Sequence, residues 1–174
     1  MSVLNRIFLV GPMGVGKTTI GHRLSQLLNY EFIDTDAVIE KKTGVKIDRI
    51  FEIEGESGFR KREELVIEEI SWCNKIVVAT GGGCILSNKN RRALSERGLV
   101  LYLTSQIDTL LDRLKTDKSR PLLQVEDPRK KLSEIVLARD SLYREVANHV
   151  ISTDTSPIHQ IIQTISKKIH ANQD

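Results

Sequence analysis

The sequence predicts a three-layer α/β/α protein, with a five-stranded parallel sheet between two layers of helices. Short apolar runs alternate with stretches of helical periodicity along the whole chain. The runs are short, and two are rich in β-branched residues, as strands buried on both faces are. The first run passes through a glycine-rich turn directly into a helical pattern, the opening of a parallel strand–helix unit.

The first strand is Ile7-Phe8-Leu9-Val10. Gly11-Pro12-Met13-Gly14-Val15-Gly16-Lys17-Thr18 follows it and matches the phosphate-loop pattern G-x-x-x-x-G-K-[ST]. The helix over 17–28 then carries Ile20, Leu24, Leu27 and Leu28 on one face. Glycines let consecutive backbone N–H groups turn inward on phosphates, and the helix N-terminus adds a positive dipole end. Gly14, Val15, Gly16, Lys17, Thr18 and Thr19 are therefore the candidate nucleotide ligands. Lys17 would reach the β- and γ-phosphates, and the Thr18 hydroxyl would sit on Mg²⁺.

The second strand, 32–33, ends in Asp34-Thr35-Asp36. Carboxylates at i and i+2 of a strand point the same way, placed to hold Mg²⁺ and a substrate hydroxyl. Alternatively, one of them N-caps the helix over 37–43, and the two roles are compatible. The next helix, 56–71, opens with Gly55-Glu56-Ser57-Gly58-Phe59-Arg60-Lys61-Arg62-Glu63. Arg60 and Glu63 are i, i+3 neighbours, and spacing alone favours an exposed ion pair. The third strand, 76–79, leads into Thr80-Gly81-Gly82-Gly83. Consecutive glycines permit close backbone approach to a ligand; a plain flexible loop is the alternative.

A helix over 89–97 precedes the fourth strand, 100–103, and another over 107–116 follows it. That helix carries Arg113, for which a solvated charge is the default reading. Residues 116–129 hold Lys118, Arg120, Pro121 and Pro128 and read as an exposed, mobile loop. A helix over 128–145, a fifth strand at 150–152 and a helix over 157–171 complete the chain. The exit of the fifth strand, 152–157, would line a nucleotide base.

The 174 residues suit one domain, and 40% apolar with 28% charged content is ordinary for a soluble globular protein. A net charge of +3 fits anionic ligands but is too mild to argue for nucleic acid. One Trp and four Phe, with no basic–aromatic stripe, argue against a nucleic-acid motor. Cys73 and Cys84 form no C-x-x-C pair, so a reduced, cytoplasmic protein is expected, with Cys84 a buried, inert thiol. There is no signal-peptide pattern, and no apolar run approaches the ~18 residues of a membrane span.

The blocks GPMGVGKTT, FIDTD, GESGFRKRE, ATGGG, SRPLL and RDSLYREVA, in that order, resemble the shikimate kinase family over essentially the whole chain. The phosphate loop is shared by many unrelated proteins. The combination of D-x-D, G-x-x-F-R-x-x-E and G-G-G is far more specific. The resemblance implies a P-loop fold of the nucleoside-monophosphate-kinase type, one domain over 1–174. Within it the phosphate loop would be 11–18, a shikimate-binding helical region about 34–64 and a small lid about 116–128. It implies transfer of the γ-phosphate of ATP to the 3-hydroxyl of shikimate, a step of aromatic amino-acid synthesis.

Residue by residue, the resemblance implies that Asp34 joins Thr18 at Mg²⁺ and that Asp36 takes the reacting hydroxyl. Arg60 and Arg139 would grip the carboxylate, and Gly81 and Gly82 would meet the ring through backbone N–H. Arg113 would lie on the adenine, and the lid residue Arg120 would meet the transferring phosphate beside Lys17. Glu63 would orient Arg60, which reverses the reading from spacing alone. ATP and shikimate are the implied small-molecule partners, with no nucleic acid or membrane and a monomeric chain. A planar guanidinium grips a carboxylate bidentately, which suits two arginines to this acid. A gluconate kinase of the same fold would not need that pair. A regulatory nucleotide-binding module would need neither the D-x-D nor the lid arginine.

Overall fold

The computed structural model describes residues 5–115, 123–154 and 156–171. The elements run β1 (Arg6–Val10), α1 (Lys17–Leu28), β2 (Glu31–Asp34), α2 (Thr35–Thr43), α3 (Ile47–Ile70), β3 (Ile76–Ala79), a 3₁₀ turn (Cys84–Leu86), α4 (Asn88–Arg97), β4 (Leu99–Thr104), α5 (Ile107–Leu114), α6 (Pro128–Val146), β5 (His149–Ser152) and α7 (Ile158–Ala171). The five strands form one sheet in the order β2-β3-β1-β4-β5, and every neighbouring pair is parallel.

Side-chain alternation along the strands divides the core in two. Phe8, Val10, Ile76, Val78, Val100 and Tyr102 face α2, α3, α4 and the C-terminal half of α6, meeting Ile39, Ile67, Leu94 and Tyr143. Ile7, Leu9, Val77, Leu99, Leu101 and Leu103 face α1, α5 and α7, meeting Leu24, Leu110 and Ile165. The central strands β1, β3 and β4 are thus apolar at nearly every position. Edge strands β2 and β5 are more exposed, with Val150 at the surface. β2 and β3 lie to one side of β1, and β4 and β5 to the other. The chain crosses from β1 to β2 on one side and from β3 to β4 on the other, so a crevice opens at the carboxyl ends of the central strands.

Helix boundaries differ from expectation by two residues or more in three places. α2 begins at Thr35, because Asp34 is its N-cap and so pulls the start of the helix back to the end of the strand. α3 begins at Ile47 rather than near 56. It is two helices joined at Gly55, whose φ of 69° and ψ of −178° break the helical path. The unexpected first piece carries Ile47, Ile50 and Phe51 on one face; Ile50 is buried, and the Phe51 ring lies 4.9 Å from that of Phe59. α5 ends at Leu114. The expected lid falls largely on 116–122, and with it Arg120 lies outside the described residues, as does residue 155.

The end of the sheet opposite the crevice is tied by one cation. Arg6 is buried, with its guanidinium donating to Cys73 O at 2.6 Å, Asn74 Oδ1 at 2.7 Å, Arg97 O at 3.3 Å and Trp72 O at 3.4 Å. Arg97 O ends α4, where a positive charge is favoured, and the other acceptors lie in the turn that follows α3. Arg6→Met should leave them without a donor and destabilise the fold by about 2–4 kcal/mol in urea unfolding. A change below about 0.5 kcal/mol would show that water replaces the clamp.

Candidate active site

The phosphate loop turns on glycines that no other residue replaces cheaply. Gly11 and Gly16 take φ of 144° and 102°, and a Cβ on Gly11 would stand 2.4 Å from Leu103 O. The loop delivers the chain into α1, which has no acidic residue in its first turn. The N-terminal N–H groups of α1 are therefore electrostatically uncompensated, as an anion site requires. Lys17 Nζ donates to Gly11 O at 2.7 Å and Pro12 O at 2.8 Å, arching its ammonium over the loop. A cleft of about 480 Å³ opens here, lined by loop residues 13–19 together with Asp34, Asp36, Gly81, Gly82, Arg113 and Thr153.

Asp34 caps α2 with one oxygen and turns the other toward the phosphate loop. Its Oδ1 caps α2, accepting from Asp36 N–H at 3.0 Å and Ala37 N–H at 3.2 Å. Its Oδ2 accepts from the Thr18 hydroxyl at 3.0 Å. Two hard oxygens at the mouth of a phosphate site suit Mg²⁺, which takes one or two protein oxygens and leaves the rest of its shell to phosphates and water. Among the described residues no three carboxylate, His or Cys side chains cluster as a protein-only metal cage.

Arg60, Glu63 and Arg139 do not line the cleft; they adjoin it through Asp36 and the glycines. Arg60 Nη1 donates to Glu63 Oε1 at 2.8 Å and Nη2 to Glu56 Oε1 at 3.1 Å. Glu63 is completely buried, so this is no exposed ion pair. Burial pushes the Glu63 carboxyl up to about 7; Arg60 opposes the shift, and the neighbouring Asp36 adds to it. Arg60 Nε and Glu63 Oε2 are buried with no hydrogen-bond partner among the described residues. Arg139 is also buried and acts electrostatically on Glu63.

The triple glycine makes this cluster sterically possible. A Cβ on Gly83 would lie 2.0 Å from Arg60 Nη2, and one on Gly81 would lie 2.6 Å from Glu63 Oε2 and 3.1 Å from Asp36 Oδ1. The glycines thus admit the protein's own charged side chains as well as facing the cleft. This corrects the expectation for Gly81, whose N–H donates to Thr35 Oγ1 at 3.0 Å. Gly82 is the one of the pair whose N–H is not taken by another described residue.

Arg113 is not a solvated helix charge. Nη1 reaches Gly14 O, Val15 O and Thr153 Oγ1, each at 3.3 Å, and Nη2 reaches Thr153 O at 3.4 Å. It ties the phosphate loop to the exit of β5. Cys84 is fully buried, its thiol pushed up to about 12, which makes it inert. Sequence reasoning missed Thr35, set between the two carboxylates, and Tyr143, whose hydroxyl donates to Gly82 O. The only signal for Tyr143 was its place one helical turn after Arg139.

The chain matches known proteins over most of its length. The family model described as shikimate kinase matches residues 13–170. A shikimate kinase of Actinobacillus pleuropneumoniae serotype 5b is 51% identical over 154 residues, 88% of this chain and 89% of the relative. One from Vibrio parahaemolyticus is 47% identical over 169 residues, 97% of this chain and 98% of the relative. The structure of Acinetobacter baumannii shikimate kinase in complex with shikimate superposes with a TM-score of 0.94 at 48% identity, covering 97% of this chain and 94% of that one.

The raised carboxyl of Glu63 gives a pH signature. Its folded pKa of about 7 exceeds the ordinary value of 4.5, so the folded state holds the proton more tightly than the unfolded chain. Stability should therefore fall as pH rises from about 4.5 to 7, by at most roughly 3 kcal/mol from this group. Glu63→Gln should flatten that slope in urea titrations across the window; an unchanged slope would assign it to another group.

Proposed function

The chain belongs to the shikimate kinase family, and from that premise we infer how its residues act. It is an enzyme that phosphorylates shikimate with ATP in aromatic biosynthesis. The transfer goes to the 3-hydroxyl and yields shikimate 3-phosphate and ADP. One observation carries the residue assignment: the charged cluster of Asp36, Arg60, Glu63 and Arg139 adjoins the cleft across from the phosphate loop.

ATP lays its phosphates along residues 14–19, on the N–H groups of the loop and α1, with Lys17 on the β- and γ-phosphates. Arg113 lies at the end of the cleft nearest Thr153 and Ser156, which suits contact with the base. Thr18 and Asp34 hold Mg²⁺, which when bound neutralises charge on the transferring phosphate. Arg120 adds a further positive charge from the lid; this role rests on the family resemblance.

Shikimate enters with its carboxylate toward Arg60 and Arg139. Glu63 holds Arg60 by Nη1 and Glu56 holds it by Nη2, which fixes the orientation of the guanidinium toward the substrate. The Gly82 N–H meets the ring. Asp36, lining the cleft, aligns the 3-hydroxyl on the γ-phosphorus and accepts its proton as the bond to phosphorus forms. Phosphoryl transfer is mostly positioning and charge neutralisation, and this arrangement supplies both. The reading of a monomeric, cytoplasmic enzyme rests on the family resemblance. Among the described residues no helix is long and apolar enough to cross a membrane.

A coupled ADP-release assay with ATP and Mg²⁺ tests the function. ADP release should depend on shikimate and not on gluconate or a nucleoside monophosphate; no response to shikimate would overturn the reading. Arg60→Ala should raise the shikimate KM about 10- to 100-fold, the worth of a charge-assisted contact, with the ATP KM little changed. An unchanged shikimate KM would remove Arg60 from the substrate site.

A further inference from the structure

We propose that Tyr143 is a positioning residue, whose hydroxyl fixes the Gly82 peptide in one geometry for shikimate, facing the Arg139 guanidinium. The inference rests on the assignment of Arg139 and Gly82 to that substrate. Arg139 and Tyr143 are i, i+4 neighbours on α6, so their side chains share a face. Tyr143 is fully buried. Its hydroxyl donates its one proton to Gly82 O, and the Arg139 guanidinium acts on the same hydroxyl electrostatically. A phenol has one donor and spare acceptor capacity, so it can serve both partners at once.

The glycine loop needs such an anchor, because three glycines in succession have little conformational preference of their own. Thr35 holds the Gly81 N–H at 3.0 Å, Cys84 N–H donates to Gly81 O at 3.1 Å, and Tyr143 holds Gly82 O. Three successive peptide groups are thereby fixed, and the Gly82 N–H belongs to the middle one. The tyrosine ring is itself held. It stacks on Tyr102 with centroids 4.8 Å apart, and the Tyr102 hydroxyl donates to Asp140 Oδ1 at 2.8 Å. Asp140 in turn pairs with Arg144 at 2.8 Å. A phenylalanine would satisfy the packing equally well; only the bond to Gly82 O and the attraction of the Arg139 charge require the hydroxyl.

The test is steady-state kinetics of Tyr143→Phe, Tyr102→Phe, Arg139→Ala and the Tyr143→Phe/Arg139→Ala double variant, each with its melting temperature. Tyr143→Phe should raise the shikimate KM about tenfold, the worth of a lost hydrogen bond, and leave the ATP KM within twofold. Tyr102→Phe, which loses a hydroxyl pointed at Asp140, should keep the wild-type shikimate KM. In the Arg139→Ala background, Tyr143→Phe should add less than it does alone, because the hydroxyl and the guanidinium serve one substrate group. If Arg139→Ala raises the shikimate KM while Tyr143→Phe does not, this inference fails and the site reading stands. Parallel rises in both KM values for Tyr143→Phe would make its role general packing and overturn the proposal. An Arg139→Ala enzyme with wild-type shikimate KM would overturn the site reading and this inference with it. Should Tyr143→Phe not fold, 3-fluorotyrosine incorporated into the Tyr102→Phe protein keeps ring and hydroxyl but weakens the oxygen as an acceptor. The shikimate KM should then rise; an unchanged value would overturn the proposal.

Discussion

The burial of Glu63 is the constraint on which the site depends. A carboxylate removed from water is strongly unfavourable unless it is paired, and Glu63 has no exposed surface at all. It is held by Arg60 at 2.8 Å, and Arg60 in turn fits only because residue 83 has no side chain. Such a pair is a poor source of stability, since desolvation offsets most of the attraction. Its value lies in geometry: with Glu63 on Nη1 and Glu56 on Nη2, the Arg60 guanidinium is held in one orientation. The glycine loop, Asp36 and Arg139 are arranged around that requirement.

The sheet decides where this cluster meets the nucleotide. Parallel register aligns Leu9 with Ala79 and Asp34 with Ala79, so the phosphate loop, the carboxylate pair and the glycine loop leave the sheet at one level. The central strands are buried on both faces, which makes that level rigid. Hydroxyl groups then finish the alignment. Thr18 ties α1 to Asp34, Thr35 ties α2 to Gly81, Thr80 donates to Leu9 O at 2.9 Å, and Tyr143 ties α6 to Gly82. The polar side chains behind the substrate positions therefore link elements far apart in the chain.

Much of the fold was legible in the residues. The five strands and seven helices follow from short apolar runs alternating with helical periodicity, and the phosphate loop from a pattern of fixed offsets. The start of α3 was not legible, because Gly55 reads as a stop although a short helix precedes it. The capping role of Asp34 was weighed against a metal role, and the geometry allows both because a carboxylate has two oxygens. Arg60 and Glu63 looked like a surface pair from spacing; the family resemblance alone pointed elsewhere, and the structure shows the pair buried.

What the sequence determined by itself was local: strand and helix periods, the glycine geometry of the phosphate loop, and carboxylates set two residues apart. These depend on neighbours within a few positions, where backbone sterics and periodicity act. Tertiary structure alone decided burial and partnership. It showed that Gly83 makes room for Arg60, that Gly81 spends its N–H on Thr35, that Arg113 clamps the phosphate loop to Thr153, and that Tyr143 reaches Gly82. The last three contacts join residues 46, 40 and 61 positions apart. Such contacts exist only once the parallel sheet brings its carboxyl ends together, and no local pattern encodes them.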